Sequence, residues 1–173
     1  MAMSPPWVVR DMAEGDHVEI LLLARTLDKW FNAQGLSDIG RDLPLHAGFV
    51  ATRGDRIIAF ATWSPVDGEI AGLSWMGVEE REQRSGIGTA LLSAVVRAAR
   101  DAGFRVLEVG TVADSVDYPP YAETRRFYRA RGFVDRRVDP KHYGEGEDRY
   151  DRLILHLDLA RESPAPQGTS RRP

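Results

Sequence analysis

A chain of 173 residues with 43% hydrophobic and 28% charged residues has the size and composition of an ordinary globular domain. Its net charge of −3 argues against a general nucleic-acid-binding protein, and its lack of cysteine excludes disulfides, thiolate metal sites and an acyl-cysteine intermediate. The longest apolar run, residues 20–24, is too short to span a bilayer and no signal-peptide pattern is visible, so we expect a cytoplasmic protein without a membrane segment.

The apolar and turn-residue patterns predict alternating strands and helices along the chain. In chain order, the predicted elements are a strand at residues 7–9, a helix at 17–31, at most a short helix within 36–43, strands at 47–52, 57–63 and 69–78, a helix at 86–102, a strand at 105–112, a helix at 122–131, and strands at 133–138 and 149–157. Asp16 is placed to cap the first helix, and glycines 35 and 40 limit the second.

These elements predict a mixed-sheet domain of the α/β or α+β class, since a strand–helix–strand–helix centre is flanked by hairpins. No repeat or linker divides the chain, so residues 1–160 are predicted to form one domain. Residues 161–173 are rich in proline, serine and arginine without periodicity, which predicts a disordered tail.

The sequence Gln83-Arg84-Ser85-Gly86-Ile87-Gly88 lies between a predicted strand and a long predicted helix. The start of a helix presents unpaired backbone N–H groups and the positive end of its dipole, and glycines let an anion approach the backbone. Thr89 can add a hydroxyl and Arg84 a guanidinium. The alternative is a tight turn with no ligand. A dinucleotide motif is excluded because Leu91 stands where its third glycine belongs, and no Gly-Lys-Ser/Thr follows for a P-loop.

Two motifs together resemble the GNAT acetyltransferases. The first is Val78 followed by Gln83-x-x-Gly86-x-Gly88, and the second is Phe127-Tyr128 followed by Gly132-Phe133. The resemblance implies a mostly antiparallel central sheet flanked by helices, a splayed strand pair, and acetyl-CoA as co-substrate. It also implies direct transfer of the acetyl group to an amine.

The resemblance implies roles for particular residues. The backbone of Met76, Gly77 and Val78 would hold the pantetheine arm, and the pyrophosphate would be held by the backbone of Arg84, Ser85, Gly86, Ile87, Gly88 and Thr89. Gln83 would belong to the same coenzyme-binding motif. Tyr128 would act as general acid toward the leaving thiolate, although a core-packed aromatic is the alternative. Many relatives have asparagine where this chain has Tyr121, which leaves the coenzyme contacts of that helical turn open.

The acceptor amine must lose a proton, and six carboxylates are candidates for the base: Glu69, Glu79, Glu108, Asp114, Asp117 and Glu123. The segment Thr111 to Tyr121 places Asp114, Asp117, Tyr118 and Tyr121 among prolines. Acidic and aromatic side chains suit a cation, so these four are predicted to line the acceptor site. The alternative is that both aspartates cap turns.

We therefore expect an N-acetyltransferase acting on a small cationic amine. The alternative acceptors are a protein N-terminus or lysine, or an aminoacyl-tRNA, and the alternative class is a non-catalytic acyl-CoA-binding regulator. The arginines at 125, 126, 129 and 131 are read as a solvated helix face, with coenzyme phosphates or RNA as alternative contacts. The four histidines lack metal-ligand spacing, so no metal is expected. The closing strands are compatible with a homodimer.

Overall fold

The computed structural model describes residues 6–160, which form seven strands and four α-helices. The strands are β1 (Val8–Asp11), β2 (Ala47–Arg53), β3 (Arg56–Asp67), β4 (Ile70–Val78), β5 (Val106–Val112), β6 (Val134–Tyr143) and β7 (Tyr150–Asp158). The helices are α1 (His17–Thr26), α2 (Ala33–Asp42), α3 (Ile87–Asp101) and α4 (Pro119–Ala130). The predicted tail at 161–173 lies outside the described residues, and the single domain at 1–160 stays a prediction.

All the strands join one sheet in the order β1-β2-β3-β4-β5-β7-β6. Every neighbouring pair is antiparallel except β4 and β5, which are parallel and are connected through α3. A parallel pair needs such a crossover, whereas the hairpins on either side need only short turns. This sheet confirms the predicted mixed, mostly antiparallel architecture.

Helices cover both faces of the sheet. The apolar stripe of α3, which includes Ile87, Leu91 and Val95, packs on one face together with Tyr128 of α4. On the other face, α1 and α2 form a second cluster with β2 and β3, in which Ile20, Ile39 and Phe60 are fully buried. Burying one stripe of each helix against a sheet face stabilises both layers.

The predicted end of the first helix, at residue 31, is wrong, because α1 stops at Thr26. A loop of residues 27–32 leads to α2, which is a ten-residue helix where at most a short one was predicted. The Asn32 side chain caps α2 by accepting a hydrogen bond from the Gly35 amide at 2.9 Å. Gly40 lies against Leu21 of α1, so the glycines that argued against a helix permit close packing of the two helices.

Candidate active site

Strands β4 and β5 separate part-way along the sheet. Their pairing ends at Leu73 and Val109, while β4 continues along β3 and β5 continues along β7. At the same level Ser74 is left out of the register between β4 and β3, which is a β-bulge. A bulge bends its strand and explains the change in direction. The separation leaves a cleft between residues 74–78 and 110–112, whose facing backbone groups lack a strand partner.

The residues predicted to hold the pantetheine arm lie on the β4 side of this cleft. Met76 and Val78 pack on the cluster around α3, and Gly77 faces the opposite side. A Cβ atom at Gly77 would lie 2.7 Å from Leu27 Cδ1 and 2.9 Å from Phe60 Cε1. Glycine therefore allows the end of α1 to pack against β4. The role of the three residues in coenzyme binding stays a prediction.

The start of α3 presents free backbone amides next to a loop with unusual dihedral angles. The first hydrogen bond of the helix joins the Ala90 amide to the Gly86 carbonyl at 3.0 Å, so the amides of residues 87–89 have no acceptor within the helix. Arg84 and Gly86 are left-handed, with φ of 63° and 86°. A left-handed arginine costs about 1–2 kcal/mol, and such strain is typical of functional sites. This arrangement is suited to an anion.

The polar side chains of the preceding loop differ in how firmly they are held. Gln83 Nε2 donates to the last carbonyl of β4 at 3.1 Å, and Ser85 Oγ donates to the Glu82 carbonyl at 2.5 Å. Both side chains therefore stabilise the loop, and the Gln83 backbone amide does so too by donating to the Glu80 carbonyl at 3.2 Å. The Arg84 side chain is 86% exposed, and its ion pair with the exposed Glu123 is long, at 3.5 Å. The guanidinium is therefore available to an incoming anion.

Tyr128 lies on the buried face of α4 with 5% of its surface exposed. Its ring meets Phe127 and Phe133 edge-on, with centroid distances of 5.3 Å in both pairs. Burial raises the pKa of the Tyr128 hydroxyl well above its ordinary value, so the phenol stays protonated and can donate a hydrogen bond. The packing is equally compatible with a core aromatic, and the general-acid role stays a prediction.

The arginines of α4 do not form one solvated face, and for Arg125 that interpretation was wrong. Arg125 is 5% exposed, and its Nη1 donates to the last carbonyl of β5 at 2.8 Å and to the Ala113 carbonyl at 3.2 Å. Arg129 lies 2.7 Å from both Asp114 and Asp135. These two arginines attach α4 to the end of β5 and to the start of β6.

Asp114 was predicted to line the acceptor site, and its carboxylate is paired within the chain. The hydrogen bond from Arg129 holds the pKa of Asp114 below its usual range, with a further contribution from Arg125 at 3.1 Å. This geometry gives Asp114 a structural role as the ion-pair partner of two arginines of α4, which is not the turn cap of the alternative. Asp117 lies on the same loop and is exposed. For both aspartates, contact with an acceptor stays a prediction.

Tyr118 and Tyr121 lie where α4 begins. The helix starts at Pro119, earlier than the predicted residue 122, and the two rings are 5.3 Å apart. Tyr121 Oη donates to the Trp30 carbonyl at 3.0 Å, and Trp30 Nε1 donates to the Pro120 carbonyl at 3.4 Å. The loop between α1 and α2 is therefore joined to α4.

A second pair of tyrosines, missed from the sequence, comes from the β6–β7 hairpin. Tyr143 and Tyr150 are partners in the register, with ring centroids 5.5 Å apart. Burial raises the pKa of Tyr121 to about 12, with smaller contributions from Tyr150 and Tyr118. The predicted strand ended at residue 138, before Tyr143. The one local signal was a polar, glycine-containing turn between two tyrosines.

The six candidate bases lie at separate positions. Asp114 is paired with arginine, as described above, and the four glutamates also form pairs with basic residues. These pairs are Glu69 with Arg105, Glu79 with Arg56 and Arg81, Glu108 with His156 and Arg137, and Glu123 with Arg84. The contact between Glu108 and His156 is 2.7 Å, and their side chains are 15% and 22% exposed. The ion pairs do not single out one carboxylate as the base.

No helix within residues 6–160 combines the length and apolarity needed to cross a membrane. No three His, Asp or Glu side chains of the described chain converge as metal ligands would.

The chain matches the model of a known protein family. A family model described as an acetyltransferase (GNAT) domain matches residues 44–135, which is over half of the chain. The matched segment runs from the end of the α1–α2 region to the first residues of β6, and it includes the start of α3 and Tyr128. None of the curated protein sequences matches the chain.

Solved structures of the same fold cover nearly the whole chain. A GNAT-family protein from Desulfovibrio desulfuricans has 26% identity and a TM-score of 0.76, covering 89% of this chain and 99% of its own. A GNAT-family acetyltransferase from Elizabethkingia anophelis, with acetyl-CoA bound, has 20% identity and a TM-score of 0.68, covering 90% and 99%. The ribosomal-protein-S18-alanine N-acetyltransferase from Escherichia coli has 17% identity and a TM-score of 0.66, covering 91% and 97%. These likenesses confirm the predicted fold.

Proposed function

The chain belongs to the GNAT family of acetyltransferases, and from this we propose that it transfers the acetyl group of acetyl-CoA directly to the primary amine of a small cationic molecule. The observation that carries the proposal is the combination of two features. The cleft between β4 and β5 opens beside Met76, and the free amides of α3 lie at the end of the short loop that follows β4.

The coenzyme would use both features. The amides of residues 87–89 and the left-handed loop would hold the pyrophosphate, because several N–H groups there lack protein acceptors. The pantetheine arm would lie along the unpaired backbone edge of Met76, Gly77 and Val78. The amide groups of the pantetheine would form the hydrogen bonds that a neighbouring strand would otherwise form. Acetyl-CoA supplies the acetyl group as a thioester.

In the transfer step, the lone pair of the amine attacks the acetyl carbonyl carbon and the carbon–sulfur bond breaks. The sulfur leaves as a thiolate, whose thiol has a pKa near ~8.5, and Tyr128 would donate a hydrogen bond or its proton to it. The amine nitrogen loses a proton. A lysine-like amine with pKa ~10.4 is mostly charged at pH 7, and deprotonating it costs roughly 4 to 5 kcal/mol, so a base acting directly or through water is required.

Two pairs of tyrosines support a cationic acceptor. Tyr118 and Tyr121 lie at the start of α4 with their rings 5.3 Å apart, and Tyr143 and Tyr150 of the β6–β7 hairpin lie 5.5 Å apart. Aromatic faces attract ammonium groups, and this attraction increases when water is excluded. Because Asp114 is neutralised by Arg129, the proposal relies on the aromatic rings more than on the acidic charge.

A thiol-release assay with acetyl-CoA and a panel of amines tests the proposal. We expect cationic amines such as polyamines and aminoglycosides to release coenzyme A faster than zwitterionic amino acids or anionic amines do. Faster release with peptides would support a protein acceptor and would agree with the name of the Escherichia coli neighbour. Faster release with aminoacyl-tRNA would support that acceptor instead. Binding of acetyl-CoA with no release for any amine would support a non-catalytic binding module.

The acceptor site is tested by the Tyr118→Leu variant. Loss of the aromatic face should raise the acceptor KM between about 3-fold and 30-fold, which corresponds to a cation–π interaction of roughly 0.5–2 kcal/mol. The Kd of acetyl-CoA should stay unchanged. Tyr118→Phe is the matched control, because it retains the ring and should keep KM near the wild-type value. An unchanged KM in Tyr118→Leu would remove this residue from the acceptor site.

A further inference from the structure

The guanidinium of Arg131 lies against the first turn of α3. Arg131 directly follows α4, and its Nε and Nη2 donate to Thr89 Oγ1 at 3.0 and 2.6 Å. Its Nη1 donates to the Phe127 carbonyl at 2.9 Å, and its Cζ lies 3.7 Å from the centre of the Phe127 ring. These contacts hold the charged group beside the free amides of residues 87–89.

The partners of Arg131 are all neutral. Within residues 6–160 no carboxylate forms an ion pair with it, whereas Arg125 and Arg129 of the preceding helix α4 both contact Asp114. The side chain is half-buried, and burial lowers its pKa. The positive end of the α3 dipole is also adjacent, which disfavours a cation. A guanidinium held at such a place lacks the anion that would compensate for its loss of water.

We propose that Arg131 binds a phosphate group of coenzyme A and so completes the anion site at the start of α3. A guanidinium has five N–H donors, and the contacts with Thr89 and Phe127 use three of them, so two remain for a phosphate oxygen. Thr89 Oγ1 accepts from Arg131, which leaves its own O–H free to donate to the same anion. This inference rests on the proposed function, because it presumes that coenzyme A occupies the cleft.

The test is calorimetric titration of the wild type, Arg131→Gln and Arg126→Gln with coenzyme A and with 3′-dephospho-coenzyme A. Arg126 is the matched control, since it is an exposed arginine on the same helix. We expect Arg131→Gln to weaken binding of coenzyme A about tenfold, and Arg126→Gln to change it less than about twofold. A loss seen only with coenzyme A would assign Arg131 to the 3′-phosphate. An equal loss with both ligands would assign it to the pyrophosphate.

Equal affinity of the wild type and Arg131→Gln for coenzyme A would overturn the inference. Thermal unfolding without ligand shows whether the variant folds, and Arg131→Lys is the second variant if it does not. Lysine keeps the charge but loses the planar fork, so its binding should be several-fold weaker than that of the wild type. Wild-type affinity in that variant would also overturn the inference. If the wild type binds no coenzyme A at all, the proposed function itself is wrong.

Discussion

Replacing Tyr128 by phenylalanine is expected to lower turnover by about 100-fold or more while leaving the affinity for acetyl-CoA nearly unchanged. The change removes only the hydroxyl, because the ring remains between Phe127 and Phe133. The hydroxyl is proposed to act on the sulfur only as the carbon–sulfur bond breaks. An interaction made in the transition state affects the rate and not ground-state binding.

The burial of Tyr128 defines how its hydroxyl can act. Burial raises its pKa above the usual ~10, so full transfer of the proton to a thiolate whose thiol has a pKa of ~8.5 is uphill unless the thiolate is desolvated as well. We therefore expect stabilisation of the developing charge by a hydrogen bond to contribute much of the effect. We also expect no loss of activity from ionisation of Tyr128 between pH 7 and about 10.

The measurement is single-turnover acetyl transfer at saturating acetyl-CoA, with thermal unfolding recorded for each variant. If the turnover of Tyr128→Phe is within a few-fold of that of the wild type, water or another group acts as the general acid. Tyr128→Leu provides the contrast, since loss of a buried aromatic ring should destabilise the fold by roughly 2–4 kcal/mol. Destabilisation of the phenylalanine variant to a similar degree would favour the core-packing interpretation.

The centre of the fold could be predicted because its signals are local. The apolar stripe of α3 repeats over several turns, and the strands on either side of it are short β-rich runs bounded by turn residues. Gly86 and Gly88 lie between a strand and a helix, which is the position where free amides occur. A pattern within about twenty residues is therefore enough to locate the start of α3, and the anion site there stays a prediction.

The loop between α1 and α2 could not be predicted from the same kind of signal. Trp30 and Phe31 continue the helical spacing of α1, but in the structure they contact other elements. Trp30 donates to the Pro120 carbonyl, and Phe31 meets Trp75 edge-on at 6.1 Å. These aromatics are half-buried by contacts with distant parts of the chain, which local periodicity does not indicate.

The partners of the arginines in and after α4 could not be predicted, because they depend on which part of the fold each side chain contacts. Arg125 and Arg129 of α4 and Arg131 directly after it lie within seven residues of the chain. They contact β5, an ion-pair cluster and α3 respectively. Sequence alone gives their spacing but not these surfaces, so a single solvated face was the simplest hypothesis. Asp114 was assigned to an acceptor for the same reason, because its partner Arg129 lies fifteen residues away in the chain.

Replacing Gly88 by valine is expected to weaken acetyl-CoA binding tenfold or more. Gly88 is in the first turn of α3, and a Cβ atom there would lie 3.4 Å from the Phe127 ring and 3.8 Å from Val78 Cγ2. These are ordinary contacts for one atom, but the two methyl groups of valine would have to enter the space between α3, β4 and α4. That space adjoins the amides proposed to hold the pyrophosphate, so the bulk would keep the anion from the backbone.

Gly88→Ala is the matched control, because it adds only the Cβ atom that the structure can accept, and its affinity should stay within about threefold of the wild type. Calorimetric titration with acetyl-CoA, together with thermal unfolding, separates loss of binding from loss of folding. Valine should weaken binding in a folded protein, since a β-branched residue in an otherwise intact helix costs well under ~1 kcal/mol in propensity. Equal acetyl-CoA affinity in all three proteins would mean that Gly88 only forms a turn, and that the anion site lies elsewhere.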